Sequence, residues 1–170
     1  MASTFGDITR HGDTYTVEFE RILATTVNDA WDAFTNPERL QRWMAPYIGE
    51  FGVGKQWQAL YDDGSVFTRG VVSVCEAPHR LVTSWHAVEE QPTELTLRVE
   101  EHPDGARVVL RHESLQSMLY GAGWQTYLER LDDQLGAAGS SVVDASRDPV
   151  TDWDARYGQL EALWRARIEN

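Results

Sequence analysis

Gly49-Glu50-Phe51-Gly52-Val53-Gly54-Lys55 has the glycine and lysine spacing of a phosphate-binding loop. The chemistry fails at the next position. Gln56 stands where magnesium binding needs Ser or Thr. The chain then runs on through Gln56-Trp57-Gln58-Ala59-Leu60, a strand pattern, so no helix N-terminus follows to hold a phosphate. The stretch reads as a glycine hairpin, and nucleotide binding is rejected.

His112 shares a strand face with Val108 and Leu110 by period-two alternation. Facing inward, it is a polar group in an apolar pocket, able to orient a ligand or shuttle a proton. The alternative is a buried histidine satisfied by a neighbouring hydrogen bond. Arg98 and Glu113 alternate out of phase with the apolar residues of their strands and are expected in solvent. Arg21 follows Phe19 on an apolar strand face, where an ion pair with a carboxylate is expected ahead of catalysis. Cys75 is alone, so it closes no intramolecular disulfide, and no Cys/His cluster has zinc spacing. No Ser/His/Asp triad, cysteine nucleophile or closely spaced carboxylate pair emerges. The sequence therefore calls for no catalytic residue, no metal and no cofactor.

These residues must be positioned by one domain, since 170 residues allow a sizeable core but not two. The net charge of −12 argues against a nucleic-acid partner and against anionic lipid surfaces. The start of the chain lacks the basic and apolar regions of a signal peptide, and no stretch has the length of a membrane span. A cytoplasmic location without membrane insertion is the expectation.

Alternation over 14–20 predicts a half-buried strand, with 7–10 pairing back as a short edge strand. From Val27 the period becomes helical, with Thr25 or Thr26 as the cap. Asn36-Pro37 ends that helix and begins a second, bearing Leu40, Trp43 and Met44 and stopped by Pro46. Six strands follow over 47–53, 55–61, 66–75, 81–88, 93–101 and 107–113, with turns at Asp62-Asp63-Gly64 and His102-Pro103-Asp104-Gly105. A long helix begins near Met118. Tyr120, Trp124, Tyr127, Leu128, Leu131 and Leu135 form its apolar stripe, while Glu129, Arg130, Asp132 and Asp133 face away. Its stop lies at Gly136 to Gly139. The expected organisation is a domain over 1–139, a linker over 140–150 and a terminal helix over 151–170. Thr151-Asp152-Trp153-Asp154 has capping-box character. Trp153, Tyr157, Leu160, Leu163, Trp164 and Ile168 then form a stripe that the domain itself or a second copy must cover, so a homodimer is one expectation.

Phe19-Glu20-Arg21 with the helix Val27 to Phe34 resembles the opening of the START-like, or SRPBCC, superfamily, in its branch related to the activator of Hsp90 ATPase. Thr35-Asn36-Pro37-Glu38-Arg39-Leu40 with Trp43, Gly70-Val71-Val72, Pro78-His79-Arg80-Leu81-Val82 with Trp85, Leu110-Arg111-His112 and Gly123-Trp124 continue the resemblance in order. It spans roughly residues 8–136. It implies an α+β helix-grip fold, a curved antiparallel sheet of roughly six or seven strands around the long helix. It also implies a cavity suited to an apolar or amphipathic small molecule. In that fold Trp43, Trp57, Trp85 and Trp124 come from four elements toward one space, and Phe51, Phe67, His112, Met118, Tyr120 and Leu128 complete the expected lining. The opposing reading is a solid core with no void. The leading functional expectation is a non-catalytic module that binds a hydrophobic small molecule. The alternatives are a polyketide cyclase or aromatase-type enzyme using His112, and a co-chaperone or protein-interaction module.

Overall fold

The computed structural model describes residues 6–136 and 148–169, without the side chains of residues 168–169. The strand β2 (Thr14–Leu23) buries Val17, Phe19 and Arg21 on one face, as its alternation predicts. It pairs on one side with β1 (Asp7–His11), through a turn in which Gly12 takes a positive φ of 63°. On the other side it meets β8 (Gly105–Leu115), the last strand. Between them in sequence lie β3 (Tyr47–Gly49), β4 (Gln56–Leu60), β5 (Val66–Glu76), β6 (Arg80–Ala87) and β7 (Thr93–His102). The order across the single eight-stranded sheet is β1-β2-β8-β7-β6-β5-β4-β3, antiparallel throughout. Register shifts at Tyr15/Val17, Ala59/Leu60 and Val72/Val74 add local twist and curve the sheet.

The short strands β1 and β3 at the two edges bring the count to eight. The strand expected over 47–53 stops at Gly49 because the chain turns there. Gly49 has φ of 105° and no space for a Cβ against the Gln56 backbone, and Lys55 N donates to Gly52 O at 2.9 Å. The glycine-rich stretch is therefore the β3–β4 turn.

Two short helices bridge the sheet edges. In α1 (Val27–Thr35) the Thr26 hydroxyl accepts from Asp29 N at 3.1 Å. In α2 (Pro37–Trp43) the Asn36 side chain accepts from Glu38 N at 3.0 Å. Arg39 clamps the pair by donating to Asp29 at 2.6 Å and Asp32 at 3.2 Å.

The long helix α3 (Tyr120–Leu135) lies against the inner face of the sheet, burying Trp124, Leu128 and Leu131. Glu129 and Asp132 do not face solvent as their wheel position predicts; they are 4% and 7% exposed. The cause is cover on two flanks. Arg21 of β2 reaches Asp132 at 3.1 Å, and Arg156 of α4 (Trp153–Glu169) reaches Glu129 at 2.6 Å. A stripe drawn against one partner misses the second.

The helix α4 packs on α3 of the same chain, with Leu160 and Trp164 fully buried. The Trp164 ring lies where a Cβ on Gly121 would stand, its Nε1 donates to Gln125 Oε1 at 2.8 Å, and Phe19 sits 6.0 Å away. Leu163 departs from the expected stripe and is half exposed. The side chain of Ile168, and most of the expected 140–150 linker and the Gly136–Gly139 stop, lie outside the described residues. Among the described residues no helix is long and apolar enough to cross a membrane, and no His/Cys/Asp/Glu group could hold a metal ion.

Candidate functional site

The aromatic residues of the inner face divide between two spaces. Trp43, Phe51 and Trp57 border a small void of about 30 Å³ between the sheet and α1–α2. That is room for little more than a water molecule. Trp57 is the centre of a continuous ring cluster, with Tyr47 at 5.4 Å, Phe51 at 5.7 Å and Trp85 at 5.5 Å. The indoles are anchored: Trp57 Nε1 donates to Thr83 Oγ1 at 2.8 Å and Trp43 Nε1 to Ala33 O at 3.0 Å. The middle of the domain is thus filled by rings, where a hollow interior was expected.

The larger space is an open cleft of about 450 Å³ between β5–β6, α3 and α4. Phe67, Trp85, Tyr120 and Trp124, all expected in a ligand lining, form part of its wall. Trp85 and Trp124 border both spaces, 5.4 Å apart, and with Met44 form the partition between them. Leu128 is a core residue on the buried face of α3, and Met118 lies in the turn before that helix, its carbonyl accepting from Gly121 N at 3.0 Å. Neither belongs to the cleft wall.

His112 is fully buried behind that wall. Trp124 Nε1, which can only donate, points at His112 Nδ1 at 3.0 Å. Nδ1 is therefore the acceptor, and the proton of the neutral ring sits on Nε2, which donates to Thr93 Oγ1 at 2.7 Å. Thr93 in turn donates to the Trp85 carbonyl at 2.8 Å. Burial pushes the His112 pKa down to about 3, so the ring is neutral and both nitrogens are committed. This chain ties the Trp124 ring to the Trp85 backbone and leaves His112 no free nitrogen for proton transfer.

Several wall residues escape the sequence reading, among them Tyr61, Glu90, Tyr127, Trp153 and Tyr157. The last two come from α4 and stack at 4.9 Å, with Tyr127 at 5.3 Å from Trp153. Their i, i+4 spacing marks one helix face, but in sequence that face is indistinguishable from a simple packing stripe. Glu90 follows Glu89, a non-glycine residue at φ of 64°, in the turn after β6. Glu90 N donates to Ala87 O at 3.1 Å, and the carboxylate accepts from the Tyr120 hydroxyl at 2.7 Å. Burial, then the Glu90 contact, raises the Tyr120 pKa above the usual phenol value, and burial pushes Tyr127 up to about 12. Both phenols are neutral donors at ordinary pH. Trp153 Nε1 finds no acceptor among the described residues, whereas Trp85 Nε1 has the Tyr120 hydroxyl beside it.

A curved antiparallel sheet closed by a long helix and two short ones, with an aromatic opening at one side, defines a helix-grip domain of the START-like class. Within that class, the chain belongs to the Activator of Hsp90 ATPase homolog 1-like protein family, whose model matches residues 24–136. No curated protein matches the chain in sequence. Among solved structures, CalU16 from Micromonospora echinospora is similar at a TM-score of 0.72 and 20% identity, over 96% of this chain and 95% of that one. A protein from Bordetella parapertussis encoded by BPP1335 aligns at 0.67 and 22%, over 98% and 94%. PFC0360w from Plasmodium falciparum, an Hsp90 activator, aligns at 0.61 and 17%, over 72% of this chain and 96% of that one. These likenesses are of fold. The first two leave too little of the chain uncovered to omit α4, whereas the family model ends before it.

Proposed function

We propose that this domain binds an apolar or amphipathic small molecule in the cleft between β5–β6, α3 and α4, as a carrier or sequestering module. One observation carries the reading. A cleft of about 450 Å³ is walled by rings several of which are only half-buried, beside a core in which similar rings are closed up. Pockets for small organic ligands run from about 300 to 1,000 Å³ and combine such walls with a few polar groups. Here those groups are Tyr120, Tyr127, Ser117 and Glu90. The cyclase-type alternative loses its main candidate base, because His112 is neutral, fully hydrogen-bonded and behind the wall. In the co-chaperone alternative, the likeness to an Hsp90 activator speaks for the fold alone.

Gly123 gives a clean test. It lines the cleft, and a Cβ built on it meets nothing within 4 Å. Gly123→Phe should fill the space from within a helix, where replacing glycine costs no helix propensity. Titration with the neutral dye Nile red should show saturable one-to-one binding to the wild type. Gly123→Phe should weaken it by about tenfold or more, the loss of roughly one buried ring's worth of contact, with Tm unchanged or raised. Equal binding by both proteins would overturn the assignment.

A further inference from the structure

We propose that the cleft selects a cation, a lipophilic amine or quaternary ammonium, seated among the aromatic rings and facing the Glu90 carboxylate. The inference rests on the cleft being a binding site and adds the charge of what enters it. Among the described residues, Glu90 is the one charged side chain in the wall, which includes no Arg, Lys or His. Tyr120 satisfies Oε2, and no donor among the described residues reaches Oε1. A half-buried carboxylate beside apolar surface is costly unless it is paired, and one oxygen here is left for an incoming group.

The surrounding rings suit the same charge. Trp85, Tyr127, Trp153 and Tyr157 line the same cleft, and the π-systems of aromatic rings attract ammonium groups. The backbone is arranged for the carboxylate: Glu89 holds a left-handed conformation that non-glycine residues rarely adopt, and the Glu90 N to Ala87 O bond closes the turn that sets Glu90 over the opening. The net charge of −12 adds a long-range field that draws cations in and repels anions. A carboxylate ligand would meet Glu90 with no counter-charge in the wall.

Three probes of one shape class separate the possibilities: benzyltrimethylammonium, its uncharged carbon isostere neopentylbenzene, and benzylsulfonate. Affinities are read from the tryptophan indole N–H resonances of the full chain. The ammonium should bind about tenfold or more tightly than the isostere, and the sulfonate most weakly. Glu90→Gln, whose side chain can still accept from Tyr120, should bring the ratio of ammonium to isostere affinity close to unity. Gly123→Phe should abolish binding of both. An isostere that binds as tightly as the ammonium, or a preference untouched by Glu90→Gln, overturns the cation assignment and leaves the cleft reading standing. Failure of all three probes to bind removes both.

Discussion

The ring-filled centre and the cleft are built from the same residue types with opposite outcomes. At the centre, Trp43 and Trp57 are buried on every side and their N–H groups are spent on a backbone carbonyl and a threonine. In the cleft, Trp153, Tyr157, Tyr120 and Tyr127 are half-buried, and among the described residues the Trp153 N–H finds no acceptor. Closed hydrogen bonds and complete cover mark aromatics that hold a fold together. The rings that line the cleft are less fully covered, apart from Trp85 and Trp124 in the partition. The difference lies in the partners, not in the residue type.

The contrast can be broken in several places. The largest effect is expected from deleting residues 148–170, which removes α4. It would bare Gly121, Phe19 and the buried Glu129 and also strip Trp153 and Tyr157 from the cleft. Light scattering should show aggregation, and Nile red binding should be lost; a monomeric truncation of unchanged Tm would contradict the packing. Trp57→Ala, at the centre, should cost about 3–5 kcal/mol in denaturant unfolding while changing probe affinity little. Trp153→Ala should do the reverse, costing less than about 1 kcal/mol of stability and about tenfold in affinity, because a half-exposed ring has less cover to lose.

The partition between the two regions gives a pH test. His112 has its folded pKa depressed from 6.5 to about 3 by burial, so below pH 6.5 the unfolded chain takes up a proton that the folded one refuses. Stability from this group is fully present above about 6.5 and declines as pH falls toward 3, by up to about 1.4 kcal/mol per pH unit. His112→Gln keeps a polar side chain and removes the titration. The difference in unfolding free energy between wild type and variant should therefore slope over that window and be flat above it. A constant difference from pH 4 to 8 would contradict a neutral, buried ring.

Local chemistry made much of the fold legible. Thr26, Asn36-Pro37 and the Asp62-Asp63-Gly64 turn act where their side chains and dihedrals require, within a few residues of themselves. Glu129 and Asp132 of α3 were misjudged because their partners, Arg156 and Arg21, come from α4 and from β2. The same distance hid the role of His112, fixed by Thr93 on β7 and Trp124 on α3. Trp85 and Trp124 fall within the motifs that carry the family resemblance, whereas Phe67 and Tyr120 were expected beside them only from the fold it implies. Their division from Trp43, Phe51 and Trp57 depends on how closely rings from distant elements approach, which no local pattern encodes. Trp153 and Tyr157 satisfy a packing stripe and a cleft wall equally well until α4 is docked.

The seven indole N–H groups provide a reporter in each region. In a titration with Nile red followed by two-dimensional nitrogen–proton spectra, the Trp85, Trp124 and Trp153 resonances should move together and saturate, while Trp43 and Trp57 stay in place. Movement of Trp43 and Trp57 with the cleft indoles unmoved would place the guest in the centre and contradict the account.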